Sequence, residues 1–116
     1  MISKNNVIKI VNINKIDSDT CVFIDGSKRS SAKLSSLVIG RGSYQPGWRW
    51  SKDAGPQTGQ ESASHIGWIQ SGKMVIRAEN GDEQEVGPGD FFEVGPNHDA
   101  WVAGNEPCVA LDFVVH

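Results

Sequence analysis

Between Ser71 and Pro107 the chain is cut by one turn signal after another. Ser71-Gly72, Asn80-Gly81, Gly87-Pro88-Gly89-Asp90, Gly95-Pro96-Asn97 and Gly104-Asn105-Glu106-Pro107 follow in close succession. The runs between them are too short for a helix of ordinary length, which needs ten or more residues. Asn-Gly favours the positive φ of a two-residue hairpin. Lys73 to Glu79 alternates as a half-buried strand does, with Met74, Ile76 and Ala78 on one side and Lys73, Arg77 and Glu79 on the other. With 13 Gly and 5 Pro in 116 residues, the same punctuation runs through the whole chain. No helical period survives over a useful window. The pattern predicts an all-β domain of eight to ten short strands, a barrel or jelly roll.

Strands are expected at 7–13 (VIKIVNI), 21–24 (CVFI, ended by Asp25-Gly26), 34–44, 65–70, 73–79, 82–86, 91–94, 98–103 and 108–115. In the last, Val109, Leu111, Phe113 and Val115 make one continuous apolar face. Gly40 and Gly42 interrupt 34–44 and read as bend or bulge positions. Lys28 to Lys33 reads as a polar loop, and so does Asp53 to Gln60. Pro46-Gly47 is a turn. Trp48 and Trp50, two apart in extended chain, share a face. They either pack in a core or subunit contact or form an aromatic wall on a pocket.

The length is that of one domain, able to bury a core without metal or disulfide scaffolding. The net charge is -3, and no run of five Lys or Arg exists to neutralise phosphates, so nucleic acid is not an expected partner. No apolar run approaches the ~20 residues of a membrane span. The first residues alternate apolar and polar and do not read as a signal peptide. Cys21 and Cys108 lack the spacing of a zinc ribbon or redox motif and read as two thiols of a cytoplasmic protein. There is no nucleophile elbow, phosphate loop or dinucleotide fingerprint.

The segments PGWRW (46–50), HIGWIQSG (65–72) and GPGDFFEVGPNHDAW (87–101) carry a resemblance. Over residues 40–115 the chain resembles small single-domain bacterial cupins. The resemblance implies one domain over 1–116, a double-stranded β-helix or jelly-roll barrel. Residues 1–33 would be N-terminal strands and loop, and 34–115 the barrel core. It also implies a homodimer and a pocket in the barrel mouth. The usual first cupin motif places two histidines and a glutamate ahead of its glycine. Counted back from Gly72, the glutamate position holds His65, the second-histidine position holds Glu61, and the first holds Gly59, which has no side chain to ligate with. The loop leading to His98 is two residues shorter than the second motif's usual one.

Glu61, His65 and His98 then make two imidazoles and one carboxylate, a set suited to Fe, Mn, Ni or Zn with positions left for water or substrate. Four residues of extended chain cover about 13 Å, so the chain must bend between Glu61 and His65 for both to reach one ion. Gln57, Gln60 and Ser64 are weaker stand-ins. The pocket is expected to be lined by Trp48, Trp50, Gln57, Trp68, Met74, Phe91 and Glu93. Asp99, next to His98, faces the other way and caps a turn or pairs with an arginine. The implied function is a metal-binding cupin that takes a small molecule, an oxygenase or an isomerase with no catalytic residue assigned. The alternative is a non-catalytic binding or sensing module without metal.

Overall fold

The computed structural model describes residues 8–15, 20–59 and 62–115. Nine strands lie among them: β1 (Thr20–Val22), β2 (Lys28–Lys33), β3 (Leu37–Tyr44), β4 (His65–Ser71), β5 (Lys73–Arg77), β6 (Glu83–Val86), β7 (Phe91–Val94), β8 (Asp99–Ala103) and β9 (Cys108–Val115). They form two antiparallel sheets. One has the order β1-β2-β3-β9-β4-β7, the other β6-β5-β8. The all-β jelly-roll expectation therefore holds.

The strands form where turn residues and alternation agree. In β5, Met74 and Ile76 are buried while Lys73 and Arg77 are exposed. Asn80-Gly81 closes the β5–β6 hairpin, with Gly81 at φ 96°. The inward residues of the smaller sheet, Met74, Ile76, Val86, Ala100 and Val102, pack with Ile69, Val94 and Cys108 of the larger one. Burial of these apolar side chains is the main stabilising force of such a core.

Four expectations about elements are corrected. Ile8–Asn12, expected in a strand, is in none, and Ile13–Lys15 forms one 3-10 turn; Ile8 and Ile10 are 78% and 85% exposed. Lys28–Lys33, expected as a loop, is β2 and pairs along its length with β3. Its polar sequence hides a strand because its inward residue Arg29 has an ionic partner rather than an apolar one. Gly40 and Gly42 are neither bend nor bulge, since β3 keeps unbroken register with both β2 and β9 across them. They are glycines because other side chains lie on them: a Cβ at Gly40 would come within 2.3 Å of Arg29, and one at Gly42 within 2.2 Å of the Tyr44 ring.

Asp53–Thr58, within the expected polar loop Asp53 to Gln60, is helical. A π-helix at Trp50–Ala54 runs into an α-helical turn at Gly55–Thr58. It is fastened to β8 by Asp99, which accepts from Arg49 Nε at 2.8 Å and from the Ser51 amide at 3.0 Å. The Arg49 guanidinium also stacks 4.4 Å above the Trp101 ring. At its other end, Gln57 Nε2 donates to the Val22 carbonyl at 2.9 Å.

Candidate functional site

A cavity of about 320 Å³ opens between the two sheets. This is the small end of the range for ligand pockets. His65 and His98 both line it, with ring centroids 5.0 Å apart. His65 begins β4 on the inward face that continues through Gly67 and Ile69. Its ring also meets the Phe92 ring edge-on, centroids 5.8 Å apart.

His98 is aimed by the turn before it. Asn97 has φ 60°, a left-handed conformation that asparagine tolerates better than most residues. The Asn97 amide donates to the Ser62 carbonyl at 3.0 Å, and Ser62 Oγ donates to the His98 carbonyl at 2.6 Å. Ser62 thus ties the segment leading into β4 to the residue that carries the second imidazole.

The two imidazoles share one hydrogen-bond pattern. His65 Nδ1 lies 3.1 Å from the Ala63 carbonyl and His98 Nδ1 lies 2.9 Å from the Gly95 carbonyl. A carbonyl only accepts, so each Nδ1 carries a proton, and in the neutral ring each Nε2 keeps a lone pair. Burial and, to a smaller degree, neighbouring His65 lower the His98 pKa and outweigh the opposing hydrogen bond to the Gly95 carbonyl. Both effects favour the neutral ring, the form that ligates metals.

Of the other expected site residues, Trp48, Trp50 and Met74 line the cavity. Trp48 is buried against Tyr44 and Phe23. Glu61 and Gln60 lie outside the described residues. The remaining expectations are corrected. Trp68 alternates away from the cavity and packs against Phe91 on the outside of the sheet, centroids 6.1 Å apart. Phe91 is 68% exposed and Glu93 is exposed, because Phe92 and Val94 are the β7 residues that turn inward. The phase follows from pairing: Phe92 sits opposite Gly67 and Val94 opposite His65, both on the inward face. Gln57 is exposed and bonds to β1 instead. Asp99, as expected, pairs with Arg49 and caps a turn rather than facing the cavity.

Among the cavity-wall residues that the sequence reading missed are Arg29, Tyr44, Phe92 and Asp112. Arg29 and Asp112 form a two-point ion pair, Nε to Oδ2 at 2.8 Å and Nη2 to Oδ1 at 2.6 Å. Asp112 had a signal. A lone carboxylate inside the apolar run CVALDFVV must find a partner if it is buried. Its place among even-numbered residues also shows which face of β9 turns inward. The expected apolar face of Val109, Leu111, Phe113 and Val115 is the other one, although Leu111 also reaches the cavity wall.

No family model matches the chain, and no curated protein matches it. Solved structures do. An RmlC-like cupin from Shewanella frigidimarina superposes with a TM-score of 0.67 at 16% identity, covering 94% of this chain and 91% of that one. KdgF from a Halomonas species gives 0.63 at 20% identity over 84% of each chain. A cupin superfamily protein from Desulfitobacterium hafniense gives 0.57 at 18% identity over 77% and 76%. At these identities the likeness is one of fold. With its two antiparallel sheets closed around a cavity, the chain adopts a cupin-like fold.

Proposed function

We propose that the cavity holds a divalent transition metal between His65 and His98 and receives a small molecule beside it. The matched tautomers carry this reading. Two imidazoles, each with Nδ1 engaged by a backbone carbonyl, present two Nε2 lone pairs, and metal-ligating histidines are held in this way. Their spacing fits as well. Two ring nitrogens about 2 Å from one ion at a near-tetrahedral angle put the ring centroids about 5 Å apart, and the observed separation is 5.0 Å.

Among the described residues no group of three His, Cys, Asp or Glu side chains could complete such a site. The third donor of this reading is Glu61, which directly precedes Ser62 in the sequence. Two imidazoles and a carboxylate suit Fe, Mn, Ni or Zn. When bound, such an ion supplies Lewis acidity and a more acidic water. The chain's own part is to orient the imidazoles through Ala63, Gly95 and the Asn97 turn, and to enclose the ligand between Trp50, Phe92, Met74 and Ile76.

The second reading is a binding or sensing module without metal. The Arg29–Asp112 pair on the cavity wall, which can hold a polar ligand without metal, favours it. Elemental analysis of protein purified without added metal separates the two. Near-stoichiometric metal, lost in His65→Ala and His98→Ala and weakened in Glu61→Gln, supports the metal site. The absence of metal, with no rise in melting temperature on adding Fe, Mn, Ni or Zn, overturns it in favour of the second reading, since a ligand at 100 times its Kd adds about 2.7 kcal/mol.

We also propose a homodimer. Its contact surface is the outer face of the larger sheet, where register brings Ile66 beside Phe113 and Trp68 beside Phe91. Contiguous exposed apolar patches of this kind are uncommon on monomers.

A further inference from the structure

The end of the cavity at Arg29 and Asp112 is built differently from the imidazole end. Arg29 reaches from β2 across β3 to Asp112 on β9, passing over Gly40, and Tyr44 lies over Gly42 beside it. Both members of the ion pair line the cavity, and their side chains are 32% and 18% accessible. They are the only permanently charged side chains among the lining residues described. Asp112 occupies Arg29 Nε and Nη2, and among the described residues Nη1 has no partner. Nor is Nη1 sealed away, since the one buried side-chain polar atom without a partner among those residues is Trp48 Nε1. Each Asp112 oxygen accepts one bond from Arg29 and has capacity for another.

This end therefore offers a donor and an acceptor side by side with no net charge. A carboxylate placed against Arg29 also meets Asp112, and an ammonium or amidinium placed against Asp112 also meets Arg29. Either ion gives up its hydration for a paired site that repels it about as much as it attracts it. A neutral head carrying an acceptor next to a donor satisfies both residues. The rest of the wall is apolar or aromatic, with Trp50, Phe92, Met74 and Ile76 among it. On strand spacings alone, Asp112 and His65 lie about 8 Å apart at their Cα atoms, one strand over and two residues along. A single ring spans such a distance.

We propose that the cavity selects an uncharged, one-ring-sized ligand whose polar head takes a hydrogen bond from Arg29 Nη1 and gives one to Asp112. Amides and hydroxy-carbonyl groups are heads of this class. The proposal rests on the reading of the cavity as a small-molecule site, but not on the metal.

The test uses three probes of one shape, benzamide, benzoate and benzamidine, titrated by NMR into chelator-treated full chain at pH 7. Benzamide binds wild type about tenfold more tightly than either ion, the factor that one well-made hydrogen bond supplies. Asp112→Asn leaves Arg29 uncompensated and moves benzoate to first place. Arg29→Met leaves Asp112 uncompensated and moves benzamidine to first place. Benzoate or benzamidine binding wild type as tightly as benzamide overturns the proposal, and so does failure of all three to bind. An unchanged order in both variants overturns it too. The wild-type order decides the matter even where a variant fails to fold. Because chelator is present throughout, a chain that proves metal-free can still pass, and one that holds metal can still fail.

Discussion

Arg29 reaches Asp112, 83 residues away in sequence, by lying across Gly40. A Cβ at Gly40 would stand 2.3 Å from Nη2, 2.6 Å from Cζ and 2.7 Å from Nε of that side chain. The guanidinium is the flexible end of its residue, but Asp112 pins it at two points. Gly40→Ala must therefore push the pair apart or bend β3. The expected loss is about 1–3 kcal/mol, as for other overpacked interiors. Gly95→Ala is the control, because its Cβ position is open and its φ is ordinary. Urea unfolding of both variants checks this. Equal stabilities would show that Arg29 is not held where the ion pair requires.

Gly67 has the same relationship with a stiffer partner. A Cβ there would come within 2.2 Å of Phe92 Cζ. A phenyl ring cannot fold out of the way as an arginine can, so Gly67→Ala is expected to cost about 2 kcal/mol or more. Phe92→Ala removes the obstacle at its own cost. The double variant should then be more stable than the two single losses summed. Coupling of this kind runs to 0.5–3 kcal/mol for residues in contact, roughly. Strict additivity in the cycle would refute the close approach.

These contacts show why the fold was legible in the sequence and much of the site was not. Turn residues and alternation are local, so Asn80-Gly81 and Lys73 to Arg77 announce themselves. The phase of β7 is not local. FFEV is apolar on both faces at its start, and only pairing with Gly67 and His65 turns Phe92 inward rather than Phe91. A shift of one residue moves every side chain to the other face. Gly40 and Gly42 look like breaks in a strand because the side chains that require them come from Arg29, on another strand, and from Tyr44, two positions on. Polar β2 looks like a loop because its inward residue Arg29 answers a charge far along the chain. His65 and His98 were visible because their glycine-bounded motifs are short. What holds their Nδ1 atoms is backbone, which no side-chain pattern records.

Asn97 sets the aim of His98 through its left-handed backbone. Asn97→Gly keeps that conformation freely and loses the exposed bond to Glu79 at 2.7 Å. Asn97→Val must pay for it, at about 1–2 kcal/mol for an L-residue held there. The valine variant is expected to melt lower and to retain less metal, while the glycine variant stays near wild type in metal content. If both lose metal alike, the side chain of Asn97 matters and its backbone does not.

Cys108 gives the stability a dependence on alkaline pH. It is fully buried, and burial pushes its pKa from 9.0 up to about 11. Below pH 9 both folded and unfolded chains keep the proton, and the stabilisation is fully present. Between 9 and 11 the unfolded thiol ionises first, the folded state binds more protons, and stability falls as pH rises. The slope from this one group approaches about 1.4 kcal/mol per pH unit. Cys108→Ala should flatten the curve over that window, seen by urea unfolding at pH 8, 9, 10 and 11. Parallel curves for variant and wild type would remove Cys108 as the cause. In the native state the same burial leaves Cys108 unreactive to thiol reagents until the chain unfolds.

The outer face of the larger sheet supplies the last expectation. Phe91 is 68% exposed, Val115 71% and Ile66 38%, and Trp68 and Phe113 stand between them through the β7–β4–β9 register. A second copy seated there removes this apolar surface from water at about 25 cal/mol per Å². Phe91→Asp places a charge at the β7 edge of that contact, where it has no partner, while its side chain in a monomer points to solvent. The variant should therefore fold with wild-type stability when dilute, yet elute at half the wild-type mass in size exclusion with light scattering. It should keep its cavity ligand and its metal, because Phe92, not Phe91, faces inward. A wild-type chain that runs as a monomer at high concentration, or a Phe91→Asp variant that still pairs, would exclude this face as the contact.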